Sequence, residues 1–92
     1  MMVINKRNLQ IKELCRIPGI GISIANDLIN IGITKISDLK NKEPEYLYHQ
    51  SNKYAGVIQD RCLLYTFRCA VYFATETKHD KEKLKWWNWK DQ

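Results

Sequence analysis

The chain has 92 residues, 45% of them apolar, with three Trp, five Tyr and two Phe; that supports one hydrophobic core and excludes a second. Charged residues make up 27%, an ordinary globular share that excludes wholesale disorder. The net charge is +5, spread as seven basic and five acidic residues over 1–46 and eight and five over 47–92. With no block of five like charges, a polybasic tail or membrane anchor is excluded, while a phosphate-bearing partner is permitted.

The periodicity is helical almost throughout. Leu9, Ile11, Leu14 and Cys15 predict a first amphipathic helix with Asn8 as its N-cap. It stops before Pro18, because the residue preceding a proline avoids the α region. A tight turn over about residues 16–22, Ile17-Pro18-Gly19-Ile20-Gly21 at its heart, leads into a second helix. Ser23 is its expected N-cap, Ile24, Ala25, Leu28, Ile29 and Ile31 its apolar face, and Gly32 its terminating C′ glycine. Thr34 is read as the cap of a short third helix through Ile36 and Leu39. Pro44 suits the first turn of a fourth helix, through Leu47 and Tyr48 to about Ser51, and Gly56 ends the loop that follows.

A long helix is expected over about 57–75. Leu63, Leu64, Phe67, Ala70, Val71 and Phe73 make it apolar around most of its circumference, so it is central in the core. After a turn, Asp80 caps a Trp-rich segment over 80–91 that carries Leu84, Trp86, Trp87 and Trp89. No alternating strand pattern and no internal repeat is present. The expectation is an all-α, compact domain of five to six helices spanning residues 1–92.

The turn at Gly19 and Gly21 carries the chemical signal. Two glycines let the backbone bend sharply and leave its N–H groups uncovered. The second helix starts at once, so its unpaired first-turn N–H groups and positive dipole end point the same way. Together they suit one phosphate. Ala25 is small where two helices cross closely, and Ile17 and Ile20 anchor the turn.

Leu14-x-x-Ile17-Pro18-Gly19-Ile20-Gly21-x-x-x-Ala25-x-x-Leu28 resembles the helix-hairpin-helix motif of DNA repair and recombination proteins. The Ile31-Gly32-Ile33-x-x-Ile36-x-x-Leu39 segment resembles the part that often completes the motif. The resemblance implies backbone donors to a DNA phosphate at Gly19, Gly21, Ser23 and Ile24. It also implies a monovalent cation, K+ or Na+, on the carbonyls of Cys15, Ile17 and Ile20, as some members have. DNA-binding versions place Lys or Arg just after the second glycine; here Ile22, Ser23 and Ile24 stand there, and Arg16 is the nearest cation. The same turn also serves elsewhere purely as a packing device between helices.

Two downstream blocks extend the likeness. Asp60 through Ala74, with Leu84-Lys85-Trp86-Trp87-Asn88-Trp89-Lys90-Asp91, resembles the small bacterial pathogenicity-locus family, whose members carry this hairpin at the same distance upstream. That resemblance runs from about Leu9 to Asp91 and bears mainly on the fold.

Arg61, Tyr65, Arg68 and Tyr72 are spaced to form one stripe on the long helix. Guanidinium and phenol in alternation suit a phosphate backbone, making Arg61 and Arg68 auxiliary candidates beside Arg16. The alternative is that the arginines pair with acids such as Asp38 or Glu45 while both tyrosines cover the core edge. Cys62 and Cys69 stand about 10 Å apart along a helix axis, too far for a disulfide; they are expected as buried free thiols. No zinc-ligand spacing links the cysteines to His49 or His79. The Trp cluster is read as a lid packing back on the domain.

No nucleophile elbow, P-loop or carboxylate pair beside a histidine is present, so a non-enzyme is expected. The N-terminal apolar stretch is too short for a secretory signal and no run spans a membrane, so a cytoplasmic, reduced protein is expected. Two functions stay open. One is non-sequence-specific binding of nucleic acid, with duplex DNA foremost. The other is a protein-interaction or scaffold module whose hairpin is architecture. A basic, acid-free surface around Gly19 to Ser23 would favour the first, and an exposed apolar patch the second.

Overall fold

The computed structural model describes residues 5–91. Helix α1 covers Lys6–Leu14 and α2 covers Ile22–Asn30. They form a hairpin whose open end is pinned by Arg7: its Nε donates to Asn26 Oδ1 and its Nη2 to Asn30 Oδ1, both at 2.9 Å. The N-cap of α1 is Asn5, not Asn8. The Asn5 side-chain oxygen accepts the backbone N–H groups of Arg7 and Asn8. Leu9, the apolar residue that pointed to Asn8, is 56% exposed and does not belong to the core face.

Helix α2 ends in a Schellman motif. Ile33 N–H reaches Leu28 O and Gly32 N–H reaches Ile29 O, with Gly32 at φ +94°. Ile33 and Leu28 are both buried, supplying the hydrophobic contact that accompanies this stop. A 3₁₀ turn, Ile36–Leu39, follows. Here the capping runs opposite to expectation: the Asp38 carboxylate reaches back to accept both the N–H and the hydroxyl of Thr34. Glu13 of α1 accepts Ile36 N–H at 2.8 Å and ties this turn to the hairpin.

Helix α3 runs Pro44–Ala55, four residues past the expected end, and stops at Gly56 in the left-handed region, φ +74°. Helix α4 runs Arg61–Thr75. The expected start near residue 57 is therefore too early by about one turn. Val57 and Ile58 lie in an exposed loop, and Gln59 is held by α3: its N–H and Nε2 bond Asn52 Oδ1, and its carbonyl accepts the Tyr48 hydroxyl. Asp60 then caps α4 by accepting Cys62 N–H at 2.8 Å.

The core forms where the hairpin, α3 and α4 meet: Leu14, Ile17, Ile20, Ala25, Leu28, Leu39, Leu47, Leu64, Phe67 and Ala70 are all buried. Two further 3₁₀ turns, Lys81–Leu84 and Trp86–Trp89, carry the chain back across α4. The described residues thus hold four α-helices and three 3₁₀ turns rather than five or six helices, because the third predicted helix is one short 3₁₀ turn and the last segment is two. They contain no strand, and no helix long and apolar enough to cross a membrane.

Candidate functional site

The α1–α2 connection is built from three backbone bonds and one left-handed glycine. Arg16 N–H bonds Glu13 O, Ile17 N–H bonds Leu14 O and Ile20 N–H bonds Ile17 O, each at 3.0–3.1 Å. Gly19 sits between the last pair at φ +86°, a conformation an L side chain resists. Ile17 and Ile20 are buried beneath the turn at 1% and 5% exposure, as their anchoring role requires.

The cap of α2 is Gly21, not Ser23. Gly21 is extended (φ −96°, ψ −175°) and makes no side-chain cap bond, while its carbonyl accepts Ala25 N–H. Nothing lies within 4 Å of where a Gly21 Cβ would be. Ser23 is in the first turn, where its N–H, with those of Ile22 and Ile24, is an orphan donor of the helix start. Gly21, Ile22 and Ser23 are exposed, Ile24 is half-buried, and no acid lies in this first turn. The bare N-terminus of α2 therefore projects into open space with its dipole's positive end outward.

One flank of the turn is closed. Trp86 packs against Gly19, with Cδ1 3.1 Å from a notional Cβ there. Beside it lies a cleft of about 390 Å³ whose lining includes Gly19, Asp27, Asp60, Cys62 and Trp86. Burial pushes the Asp27 carboxyl up, while the Cys62 N–H bond to Asp60 holds that carboxyl below its usual range. The surface around Gly19 to Ser23 is thus not acid-free: the carboxylates of Asp27 and Asp60 line the cleft side, while the Gly21 side is open. Arg16 is exposed and is the cation nearest in sequence.

The auxiliary candidates on α4 are already paired. Arg61 binds Asp91 Oδ2 through Nε at 2.7 Å and Nη2 at 2.5 Å, and the Tyr65 hydroxyl donates to the same oxygen at 3.2 Å. Arg68 reaches Asp91 Oδ1 at 3.0 Å, Glu45 Oε1 at 3.2 Å and the Trp89 carbonyl at 2.8 Å. Glu45 is the partner foreseen for this stripe; Asp38 is not, being engaged by Thr34. Asp91, which nothing in local sequence singles out, proves to be the centre of the cluster. Tyr72 is engaged differently: its hydroxyl oxygen accepts Asp80 N–H, and its ring lies 5.5 Å from that of Trp89.

The chain belongs to the pathogenicity locus (Cdd1) family. The family model matches residues 7–92, which takes in the hairpin, α3, α4 and the Trp segment together. No curated protein and no solved structure matches the chain. Membership covers both the Asp60–Ala74 and the Leu84–Asp91 blocks.

All three cysteines are free, but they differ. Cys69 is buried, its Sγ 3.5 Å from the Lys83 carbonyl, and burial pushes its thiol up to about 11. Cys62 is exposed rather than buried, because α4 starts late and places it in the first turn. The neighbouring Asp60 carboxylate raises its pKa, opposing the thiolate that a helix start otherwise favours. Among the described residues no group of three His, Cys, Asp or Glu side chains could hold a metal.

Proposed function

We propose that the α1–α2 connection is a helix-hairpin-helix that binds the phosphate backbone of nucleic acid, duplex DNA foremost, without reading base sequence. The observation that carries this reading is the bare start of α2: an extended Gly21 with open space over it, and exposed backbone at Ile22 and Ser23. Orphan N–H donors and the helix dipole converge there on a volume that one phosphate fills. The donors are Gly19, Gly21, Ser23 and Ile24, and Arg16 adds charge from the turn just past α1. Base edges play no part, because phosphate contacts position a protein without carrying sequence information.

A K+ or Na+ ion on the carbonyls of Cys15, Ile17 and Ile20 belongs to the same reading. The Ile17 carbonyl accepts Ile20 N–H and keeps its second lone pair for such an ion. The ion would fix the turn and add positive charge beneath the phosphate. No catalytic step is part of this proposal, and the place of action is the cytoplasm.

One observation favours the second reading, a protein-interaction module. Ile22 at the hairpin tip is 67% exposed, and Val57 and Ile58, in the loop leading to the cleft residue Gln59, are 62% and 88% exposed. These apolar tips suit a protein partner rather than a polyanion.

The test is fluorescence anisotropy with labelled duplexes of two unrelated sequences over a salt series. Two to four neutralised phosphates give a logarithmic salt slope of about −2 to −4 for both sequences, with micromolar or weaker affinity. Affinity that differs tenfold between sequences, or no binding at low salt, overturns the reading.

A further inference from the structure

The carboxylate of Asp91 occupies an anion site of four donors. Arg61 Nε and Nη2, the Tyr65 hydroxyl and Arg68 Nη2 all point at its two oxygens, at 2.5–3.2 Å. The three donor residues lie on one face of α4, and the occupant arrives from the far end of the chain. Arg61 and the Tyr65 hydroxyl converge on Oδ2 and Arg68 meets Oδ1, so each oxygen has its own arginine, an arrangement that also suits the two free oxygens of a phosphodiester.

We propose that the Arg61–Tyr65–Arg68 face of α4 is a second backbone-phosphate site, masked by the chain's own Asp91, so that the C-terminal segment and nucleic acid compete for it. This rests on the reading of the protein as one that binds nucleic acid.

The charge arithmetic supports a mask. With Asp91 in place the two arginines are balanced by Asp91 and Glu45; with the Asp91 side chain withdrawn the cluster carries one net positive charge. The site is at the surface, not sealed: Arg61 is 55% and Asp91 42% exposed, so exchange needs no unfolding. Arg68 is only 20% exposed and keeps its bonds to Glu45 and the Trp89 carbonyl, which hold its guanidinium in place whichever anion is bound. An exposed ion pair of this kind is weak enough to be displaced by a polyanion. The mask therefore lowers apparent affinity by the fraction of molecules in which it is open.

The full chain is compared with Asp91→Ala, Asp91→Glu and, as a control of equal charge change on an exposed acid elsewhere, Glu76→Gln. Asp91→Asn, nearly isosteric, replaces the alanine variant if that variant does not melt cooperatively. The probe is a labelled 16-base-pair duplex over a salt series, with the Nε–H NMR signals of Arg61 and Arg68 followed in the same titration. Asp91→Ala is expected to bind about 3- to 10-fold more tightly at low salt. Its logarithmic salt slope is expected to be steeper by about 1. The duplex shifts both Nε–H signals in this variant, and Asp91→Glu restores parental behaviour. Nε–H signals that stay still, or an equal gain from Glu76→Gln, overturn the proposal. Inorganic phosphate is titrated separately: shifts with phosphate but not with the duplex mean a small-anion site, which also overturns it. The amide signals of Gly21 and Ser23 answer for the hairpin in the same spectra. If they stay still while the arginine signals move, the hairpin reading fails and the α4 site stands; the reverse removes the α4 site alone.

Discussion

Trp86 lies on the Gly19 turn, its Cδ1 3.1 Å from the point a Gly19 Cβ would occupy. The glycine is required twice, by its φ of +86° and by the indole above it. The C-terminal segment is therefore part of the wall of the hairpin rather than a tail beside it.

Gly19→Ala is expected to lose about 1–2 kcal/mol from the left-handed backbone alone. It must also push the indole outward. Trp86→Ala, at a half-buried position, is expected to lose about 1–2 kcal/mol of apolar burial. In the double variant the alanine methyl meets no ring, so the combined loss falls short of the sum by about 0.5 kcal/mol or more. Urea denaturation of the four proteins checks this; strict additivity would mean that the two residues do not touch in solution.

Removing residues 84–92 strips Trp86 from the hairpin, Trp89 from Tyr72, and Asp91 from Arg61 and Arg68. Aromatic side chains of this kind bury about 150–250 Å² each when fully packed. The shortened chain is expected to be aggregated or to melt without cooperativity in calorimetry. A monomer melting as sharply as the parent would show that the segment is an appendage.

The three thiols separate by environment. In denaturant all three react with a thiol reagent. In the native protein exposed Cys62 reacts first, half-buried Cys15 more slowly, and Cys69 only on unfolding. The raised Cys69 value also sets a pH dependence. The unfolded chain ionises this thiol near its ordinary 9.0 while the native protein holds the proton to about 11. Its contribution is therefore complete below about pH 9 and lost as pH rises toward 11. Stability curves of the parent and Cys69→Ala should converge over that window; parallel curves would mean that Cys69 is not buried in solution.

The core was legible because its pattern is local. Ile17, Ile20, Ala25 and Leu28 follow the helix period and the turn, and all four are buried. Gly32 was legible as a helix stop because a left-handed C′ position favours glycine. Caps were less so. Asn8 and Ser23 are good capping residues beside apolar runs, but Asn5 stands one turn earlier, and Gly21 caps with its backbone and needs no side chain. Val57 and Ile58 look like the first turn of a core helix; the Gln59 bonds to Asn52 that hold them in a loop depend on α3. The Trp86–Gly19 and Asp91–Arg61 contacts join distant parts of the chain, and no periodicity reports such pairs.

Ile22→Lys places a cation at the start of α2, where DNA-binding hairpins carry one. Ile22 is 67% exposed, so stability should change by no more than about 0.5 kcal/mol. Duplex binding should tighten and the logarithmic salt slope steepen by about 1. Weaker binding by a normally folded Ile22→Lys protein would instead favour Ile22 as an apolar contact for a protein partner.

The most direct measurement is an amide NMR titration of the full chain with a short duplex at low salt. The account predicts that the N–H signals of Gly19, Gly21, Ser23 and Ile24 shift together, saturate with one dissociation constant, and return toward their free positions as salt is added, whatever the base sequence. Binding that leaves these four signals in place, or no binding of any duplex by either the parent or a folded Ile22→Lys variant, would contradict it and leave the hairpin as architecture.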